Sequence, residues 1–235
     1  MYYAPARFCR LDNLCGALIC LLLSLACPAR ASVNASAFFH KNLVIVGASY
    51  AEEWHTPLLP GYTVINNAVC GQITSDIRAH FERDVIELKP DMVLIWGHNN
   101  DVIRSTPENM VLTQQRAEEN FRAMVEQARA AGITPILVTE VTLPIPETFK
   151  EKVMAIVGPW LGKTDYRVQK NIAIKALNAW LRDYAHAQHI KLLDLEKALA
   201  SGNGTRKAEY ARKDHSHITP AGYEAITQYV VAQMT

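Results

Sequence analysis

The sequence lacks a surplus of charge of either sign. Its 235 residues include 24 Lys and Arg against 23 Asp and Glu, which gives a formal net charge of +1, and no basic block occurs. Nucleic-acid binding depends on many Lys and Arg contacts to phosphates, so no nucleic-acid partner is expected. The balance of 49% hydrophobic and 20% charged residues also excludes a disordered tail, a collagen-like fibre and a polytopic membrane protein.

Cysteine is scarce beyond the first 31 residues, where Cys70 stands alone, so residues 32–235 cannot form an intramolecular disulfide. The leader has two early arginines, a 13-residue apolar run from Leu14 to Ala26, and small residues at an A-x-A spacing that ends at Ala31. This pattern predicts a secretory signal peptide over residues 1–31, cut after Ala31, and a secreted or periplasmic protein. No permanent membrane anchor is expected, because a bilayer-spanning helix needs about 20 apolar residues. The residues before Cys27 only loosely resemble a lipoprotein cleavage box.

Residues 32–235 are expected to form a single domain in which strands and helices alternate. Nearly continuous apolar runs, which are typical of strands covered on both faces, predict five strands: Leu43–Gly47, Tyr62–Ile65, Asp91–Gly97, Thr134–Thr139 and Lys191–Leu195. Spacings of three and four, with capping residues, predict helices at Ile73–Leu88, Thr113–Ala131 and Val168–His189, and a last one from Thr219-Pro220. The pattern predicts an α/β fold with three α/β/α layers around a parallel sheet. The long stretch Val141–Val168, rich in Pro and Gly, is interpreted as a lid or pocket wall.

Reactive side chains follow the predicted strands, at the edge where such sheets bind ligands. Ser49 follows the first strand, and Asp214 precedes His217 by three residues just before the last helix. A serine hydroxyl becomes a good nucleophile when an imidazole takes its proton and a carboxylate orients the imidazole. Suitable donors for the oxyanion are the backbone N–H groups of Ser49 and Gly71 and the side-chain amide of Asn99.

Four sequence blocks carry a resemblance to a known family. The series VIVGAS at Val44 to Ser49, NAVCGQIT at Asn67 to Thr74, WGHNND at Trp96 to Asp101 and DHSHITPAGY at Asp214 to Tyr223 resembles the SGNH hydrolases, also called the GDSL esterase/lipase family. The resemblance implies a flavodoxin-like fold with a five-stranded parallel sheet, Ser49 as nucleophile, His217 as base and Asp214 as its orienting carboxylate. It also implies an oxyanion hole of Ser49, Gly71 and Asn99, a site without metal or cofactor, and hydrolysis of esters or thioesters.

Two departures from the family pattern affect the expected site. Ala48 stands where the family usually has Asp, so the turn that holds Ser49 must be supported in another way or lacks that support. The pair Asn99-Asn100 stands where Asn-Asp is commoner, and Asn99 is preferred as the donor by its spacing from Gly97.

Several other side chains have competing interpretations. His98 and Trp160 are candidates for substrate contact, Asp101 is expected to hydrogen-bond within its own loop, and Cys70 is interpreted as a small buried side chain. A metal-assisted hydrolase is the alternative enzyme, although its candidate ligands lack a known spacing; they are His98, Asp101, His215 and His217.

The expected substrate is a small-molecule acyl ester, a lipid or an acylated glycan. Two alternative functions remain. One, suggested by Ala48, is a carbohydrate- or lipid-binding protein that has lost catalytic turnover. The other is an O-acyltransferase that passes the acyl group to a sugar instead of water. The sequence does not indicate an oligomeric state.

Overall fold

A computed structural model describes residues 40–145, 153, 157 and 166–234, which belong to one compact unit. The predicted signal peptide, Trp160 and most of the expected lid lie outside the described residues. A five-stranded, fully parallel sheet forms the centre, with strand order β2-β1-β3-β4-β5. Its strands are β1 (Lys41–Gly47), β2 (Tyr62–Asn66), β3 (Met92–Trp96), β4 (Thr134–Val138) and β5 (Lys191–Leu193). The predicted fold class is confirmed.

Helices connect the strands and cover both faces of the sheet. The described α-helices are α1 (Ser49–Glu52), α2 (Thr74–Ala79), α3 (Phe81–Asp84), α4 (Asn99–Arg104), α5 (Met110–Ala130), α6 (Arg167–Ala187), α7 (Leu195–Ala198) and α8 (Pro220–Met234). Short 3₁₀ turns lie at Ile86–Leu88, Pro107–Asn109 and Ala208–Tyr210. Helices α5, α6 and α8 confirm the periodic predictions, and Thr219 Oγ1 caps α8 by accepting a hydrogen bond from Gly222 N at 3.2 Å.

Alternate residues of strands β1, β3, β4 and β5 enter two separate hydrophobic cores. In β1, Leu43 and Ile45 pack with helices α1 and α8, whereas Val44 and Val46 pack with α2, α3, α5 and α6. Because successive strand residues point to opposite faces, a sheet covered on both sides needs apolar residues at nearly every position. This explains why the strand sequences are continuous apolar runs rather than alternating ones.

Most predicted elements match the structure to within three residues at each end, and two differ in ways that have a clear local cause. The single helix expected over Ile73–Leu88 is divided into α2, α3 and a 3₁₀ turn, because the backbone leaves helical geometry at His80 (φ −103°, ψ 2°) and Val85 (φ −131°, ψ −60°). Strand β5 ends at Leu193, not Leu195, because the Asp194 carboxylate accepts a hydrogen bond from Lys197 N at 3.4 Å and begins α7.

The strand order places the loops after β1 and β3 at the point where the winding of the sheet reverses. In sheets of this order, ligands bind in the crevice at the carboxyl ends of these two strands. Gly47 and Trp96 are partners across the last rung of the β1–β3 pair. A Cβ at Gly47 would overlap the Trp96 carbonyl oxygen, so only glycine lets the chain turn here toward Ser49.

Candidate active site

Ser49 is the first residue of α1, directly after β1. It is half-buried, and its side chain hydrogen-bonds to none of the described residues. Ala48, at the N-cap position, is extended (φ −105°, ψ −156°) and offers no side-chain cap. Residue 48 therefore provides no side-chain hydrogen bond in place of the carboxylate that the family usually has there.

Asp214 and His217 form a close hydrogen-bonded pair. His217 Nδ1 lies 2.7 Å from Asp214 Oδ2, while Asp214 Oδ1 accepts from the backbone N–H groups of Ser216 (2.9 Å) and His217 (3.0 Å). Partial burial acts to raise the pKa of Asp214, but the hydrogen bonds from His217 and the two backbone groups outweigh it and lower that pKa to about 2. A carboxylate that stays ionised at Nδ1 keeps Nε2 free to act as a base.

The His217 loop packs against the residue that follows Ser49. Tyr50 Oη donates a hydrogen bond to the Ser216 carbonyl at 2.7 Å, and the Tyr50 and His217 rings meet edge-to-face with centroids 6.4 Å apart. Buried Arg206 donates to the same carbonyl at 2.7 Å. Ser49 and His217 both belong to the described residues, and no hydrogen bond joins their side chains. Such contacts often tighten only when substrate binds, so the proton-transfer pair stays a prediction.

Gly71 and Asn99 present unused donors. Gly71 has φ +81°, which favours glycine, and a Cβ there would lie 3.2 Å from Arg104 Nη2. Its N–H donates to no described residue. Asn99 is the first residue of α4; its Oδ1 is buried without a partner, and its Nδ2 donates to no described atom. Both groups are thus available to an oxyanion.

Helix α4 also holds the neighbouring Gly71 loop. Asn100 Nδ2 donates to the Gln72 carbonyl at 2.9 Å, so it is already engaged, which favours Asn99 as the oxyanion donor. Asp101 bonds mainly outside its own loop: it accepts from Thr74 Oγ1 at 2.6 Å and from Thr74 N at 3.0 Å. The reason is that α4 begins immediately after β3 and points these polar side chains at the adjacent loop.

His98 lies inside the domain instead of on a pocket wall. Only 1% of it is exposed, and its Nε2 lies 3.0 Å from Asn178 Oδ1. Because this oxygen can only accept, Nε2 carries the proton of the ring. Burial lowers the pKa of His98 to about 4, so the ring is neutral at pH 7. The expected substrate contact of His98 is therefore not supported, and that of Trp160 lies outside the described residues.

The side chains of the metal alternative are not gathered into one site. His98 contacts Asn178, Asp101 contacts Thr74, and His215 is exposed. Within residues 40–145 and 166–234, no three His, Cys, Asp or Glu side chains lie close enough together to hold a metal ion. Cys70 is an exposed free thiol, not the buried side chain expected, because it lies in the open loop after β2.

Sequence reasoning missed Glu140, which follows β4. This carboxylate is 1% exposed and accepts hydrogen bonds from His98 N (3.0 Å), Asn99 N (3.3 Å) and Trp96 Nε1 (3.1 Å). The available signal was an acidic residue at the end of an apolar run, TPILVTE, where a parallel sheet presents its ligand-binding edge.

A large cavity of about 1040 Å³ adjoins the loop of the Asp214–His217 pair. It lies between the C-terminal end of α4 and the N-terminal parts of α5 and α6. Its apolar lining residues are Ile103, Pro107, Met110, Leu143, Ile172, Ala173 and Ala176, and Asp214, His215 and Ser216 form one side.

In the part of the chain that the structure describes, no helix has both the length and the apolar character needed to span a membrane.

Comparison with known proteins agrees with this fold. Residues 44–225 match the GDSL-like Lipase/Acylhydrolase family. Because this match covers most of the chain, the protein belongs to that family, as the four sequence blocks predict.

Individual relatives give further context. A candidate acylhydrolase from Bacteroides fragilis is 26% identical, with a TM-score of 0.61 over 81% of this chain and 84% of that one. An acetylxylan esterase, Axe2, from Geobacillus stearothermophilus shares the fold at 18% identity, with a TM-score of 0.58 over 83% and 94% of the two chains. The uncharacterized lipoprotein YqeF of Bacillus subtilis is 36% identical over 84 residues, which make up 36% of this chain and only 34% of that protein. The family and the relatives named as acylhydrolases support an ester-hydrolysing enzyme.

Proposed function

We propose that the protein is a serine ester hydrolase that works through an acyl-enzyme. The observation that carries the proposal is the 2.7 Å contact between Asp214 and His217, on a loop that Tyr50 ties to the helix beginning at Ser49. A carboxylate, an imidazole and a serine in this order form the set that activates a hydroxyl nucleophile.

The expected reaction has two halves. Ser49 Oγ attacks the acyl carbon as His217 Nε2 takes its proton, and the resulting oxyanion receives hydrogen bonds from the N–H groups of Ser49 and Gly71 and from Asn99 Nδ2. The intermediate collapses, the C–O bond to the leaving group breaks, and His217 returns the proton to the departing alcohol. Water then repeats these steps on the acyl-enzyme and releases the acid.

The cavity beside the Asp214–His217 loop favours an ester with a large apolar acyl group. Its volume of about 1040 Å³ is at the upper end of the range of small-molecule sites, far more than an acetyl group fills. Ala176 lines it, so Ala176→Trp is expected to raise the KM of octanoyl and longer p-nitrophenyl esters by about tenfold and leave acetyl hydrolysis unchanged. A uniform change across acyl lengths would place the acyl group elsewhere.

The direct test of the function is hydrolysis of p-nitrophenyl acetate by residues 32–235 compared with the Ser49→Ala variant. We expect the loss of nearly all activity in the variant. Equal rates would instead support a carbohydrate- or lipid-binding protein on the same fold. Supplying a sugar as acceptor and measuring acylated sugar against free acid separates hydrolysis from acyl transfer.

We also infer that the protein is exported, which is supported by its leader and its similarity to a lipoprotein. Mass measurement of the mature protein after expression with its leader tests this inference. Cleavage after Ala31 is the expected result. Cleavage before Cys27 with an added lipid mass would show a lipid anchor instead.

A further inference from the structure

A buried carboxylate stands behind the candidate oxyanion donor. Glu140 Oε1 accepts from two successive backbone groups, His98 N at 3.0 Å and Asn99 N at 3.3 Å, and Glu140 Oε2 accepts from Trp96 Nε1 at 3.1 Å. These three donors all belong to the end of β3 and the start of α4. Glu140 therefore fixes the orientation of the peptide groups from which the Asn99 side chain projects.

The main chain of Glu140 is itself held on both sides. Asn178 Oδ1 accepts from Glu140 N at 2.8 Å, and Asn178 Nδ2 donates to the Glu140 carbonyl at 2.8 Å. The same Nδ2 contacts Glu196, which pairs with Arg182 at 2.6 Å. Helix α6 thus anchors the loop after β4, and that loop anchors the start of α4.

A carboxylate is a costly choice of acceptor at this position. The three donors need a buried acceptor, but burying a carboxylate costs free energy that a neutral acceptor would not. Burial raises the pKa of Glu140 to about 7, against the lowering effect of its three hydrogen bonds. Costly buried ionisable groups of this kind cluster at functional sites.

We propose that Glu140 is a positioning residue, which aims the side-chain amide of Asn99 at the oxyanion through its hydrogen bonds to the turn between β3 and α4. This inference rests on the proposed function, because it requires Asn99 to be an oxyanion donor. Glu140 does not contact substrate; it acts through Asn99. Its effect must therefore disappear when the Asn99 amide is absent.

The test is a double-mutant cycle of Glu140→Gln and Asn99→Ala with p-nitrophenyl acetate. The Gln amide keeps one oxygen for the backbone donors but turns an NH₂ group toward Trp96 Nε1, which shifts the turn. We expect Glu140→Gln to lower kcat about tenfold or more, with KM within about twofold of wild type. In the Asn99→Ala background, the same substitution should change kcat by less than about twofold.

Asp91→Asn is the control, because Asp91 Oδ2 also accepts a hydrogen bond from a backbone N–H, that of Asn42 at 2.7 Å, but lies just before β3, at the end of the strand opposite to the turn before α4. It is expected to lower Tm without lowering kcat. If Glu140→Gln does not fold, the Trp96→Phe/Glu140→Gln variant, which removes the opposing N–H, takes its place in the cycle and is compared with Trp96→Phe.

Two results would overturn the inference while leaving the proposed function intact. One is a wild-type kcat in the Glu140 variant, and the other is an equal loss of kcat with and without the Asn99 amide. Full activity in Ser49→Ala would instead remove the proposed function, and the role of Glu140 with it.

Discussion

Asn99→Ala offers a sharp test of the oxyanion hole, because its expected effects on activity and stability differ widely. The substitution removes Nδ2 but keeps the backbone N–H that donates to Glu140. One oxyanion donor contributes about 10²–10³ in kcat, or about 3–4 kcal/mol. Because the donor acts mainly on the oxyanion, KM should change little. The free energy of unfolding should change by less than about 1 kcal/mol, since Asn99 Oδ1 has no hydrogen bond to lose.

The neighbouring Asn100→Ala variant is the control. Asn100 Nδ2 donates to the Gln72 carbonyl at 2.9 Å, so its loss should cost about 1 kcal/mol of stability and lower kcat less than Asn99→Ala does. Steady-state hydrolysis of p-nitrophenyl acetate and urea unfolding of both variants give the comparison. A larger loss of kcat in Asn100→Ala than in Asn99→Ala would refute the assignment of the donor.

Three further predictions concern the groups around this site. Asp214→Asn should lower kcat by about 10²–10⁴-fold by removing the carboxylate that orients His217, and steady-state kinetics showing a wild-type kcat would contradict this. Arg206→Ala should lower the free energy of unfolding by about 2 kcal/mol or more, because it removes a charged donor from the carbonyls before His217 and leaves a cavity where a fully buried side chain stood; an unchanged urea midpoint would count against it. Burial lowers the pKa of His98 from 6.5 to about 4. As pH falls, the His98 imidazole is therefore protonated at a higher pH in the unfolded chain than in the folded one. Stability contributed by neutral His98 is thus present above pH 6.5 and lost toward pH 4, by up to about 3 kcal/mol. The raised pKa of Glu140, about 7, makes the free energy of unfolding fall as pH rises over the same range. The measurement is therefore the difference in unfolding free energy between wild type and His98→Gln, by urea unfolding at pH 4.5 and at pH 7. Equal pH dependence in the two proteins would contradict the burial argument.

The sheet and the long helices could be predicted because their signals are local. Continuous apolar runs mark strands covered on both faces, and the three-and-four spacing of Ala117, Phe121 and Met124 marks the buried side of α5. The loops after these strands then give the candidate site directly, since parallel strands end at one edge of the sheet.

The supporting contacts could not be predicted, because they join residues far apart in the sequence. Glu140 reaches back to the turn before α4, 41 residues from Asn99, and Asn178 holds it from α6, 38 residues further on. Helices α1 and α4 have four and six residues, too few for a periodic pattern. The burial of His98 depends on Asn178 in the same way.

Covalent labelling with a fluorophosphonate tests most directly whether Ser49 is the nucleophile. The reagent bonds to an activated serine oxygen and releases fluoride, so peptide mass spectrometry locates the modified residue. We expect an adduct on Ser49 in the wild-type protein, a much slower reaction in His217→Ala and no adduct in Ser49→Ala. An adduct on another residue, or equal labelling with and without the His217 imidazole, would contradict it.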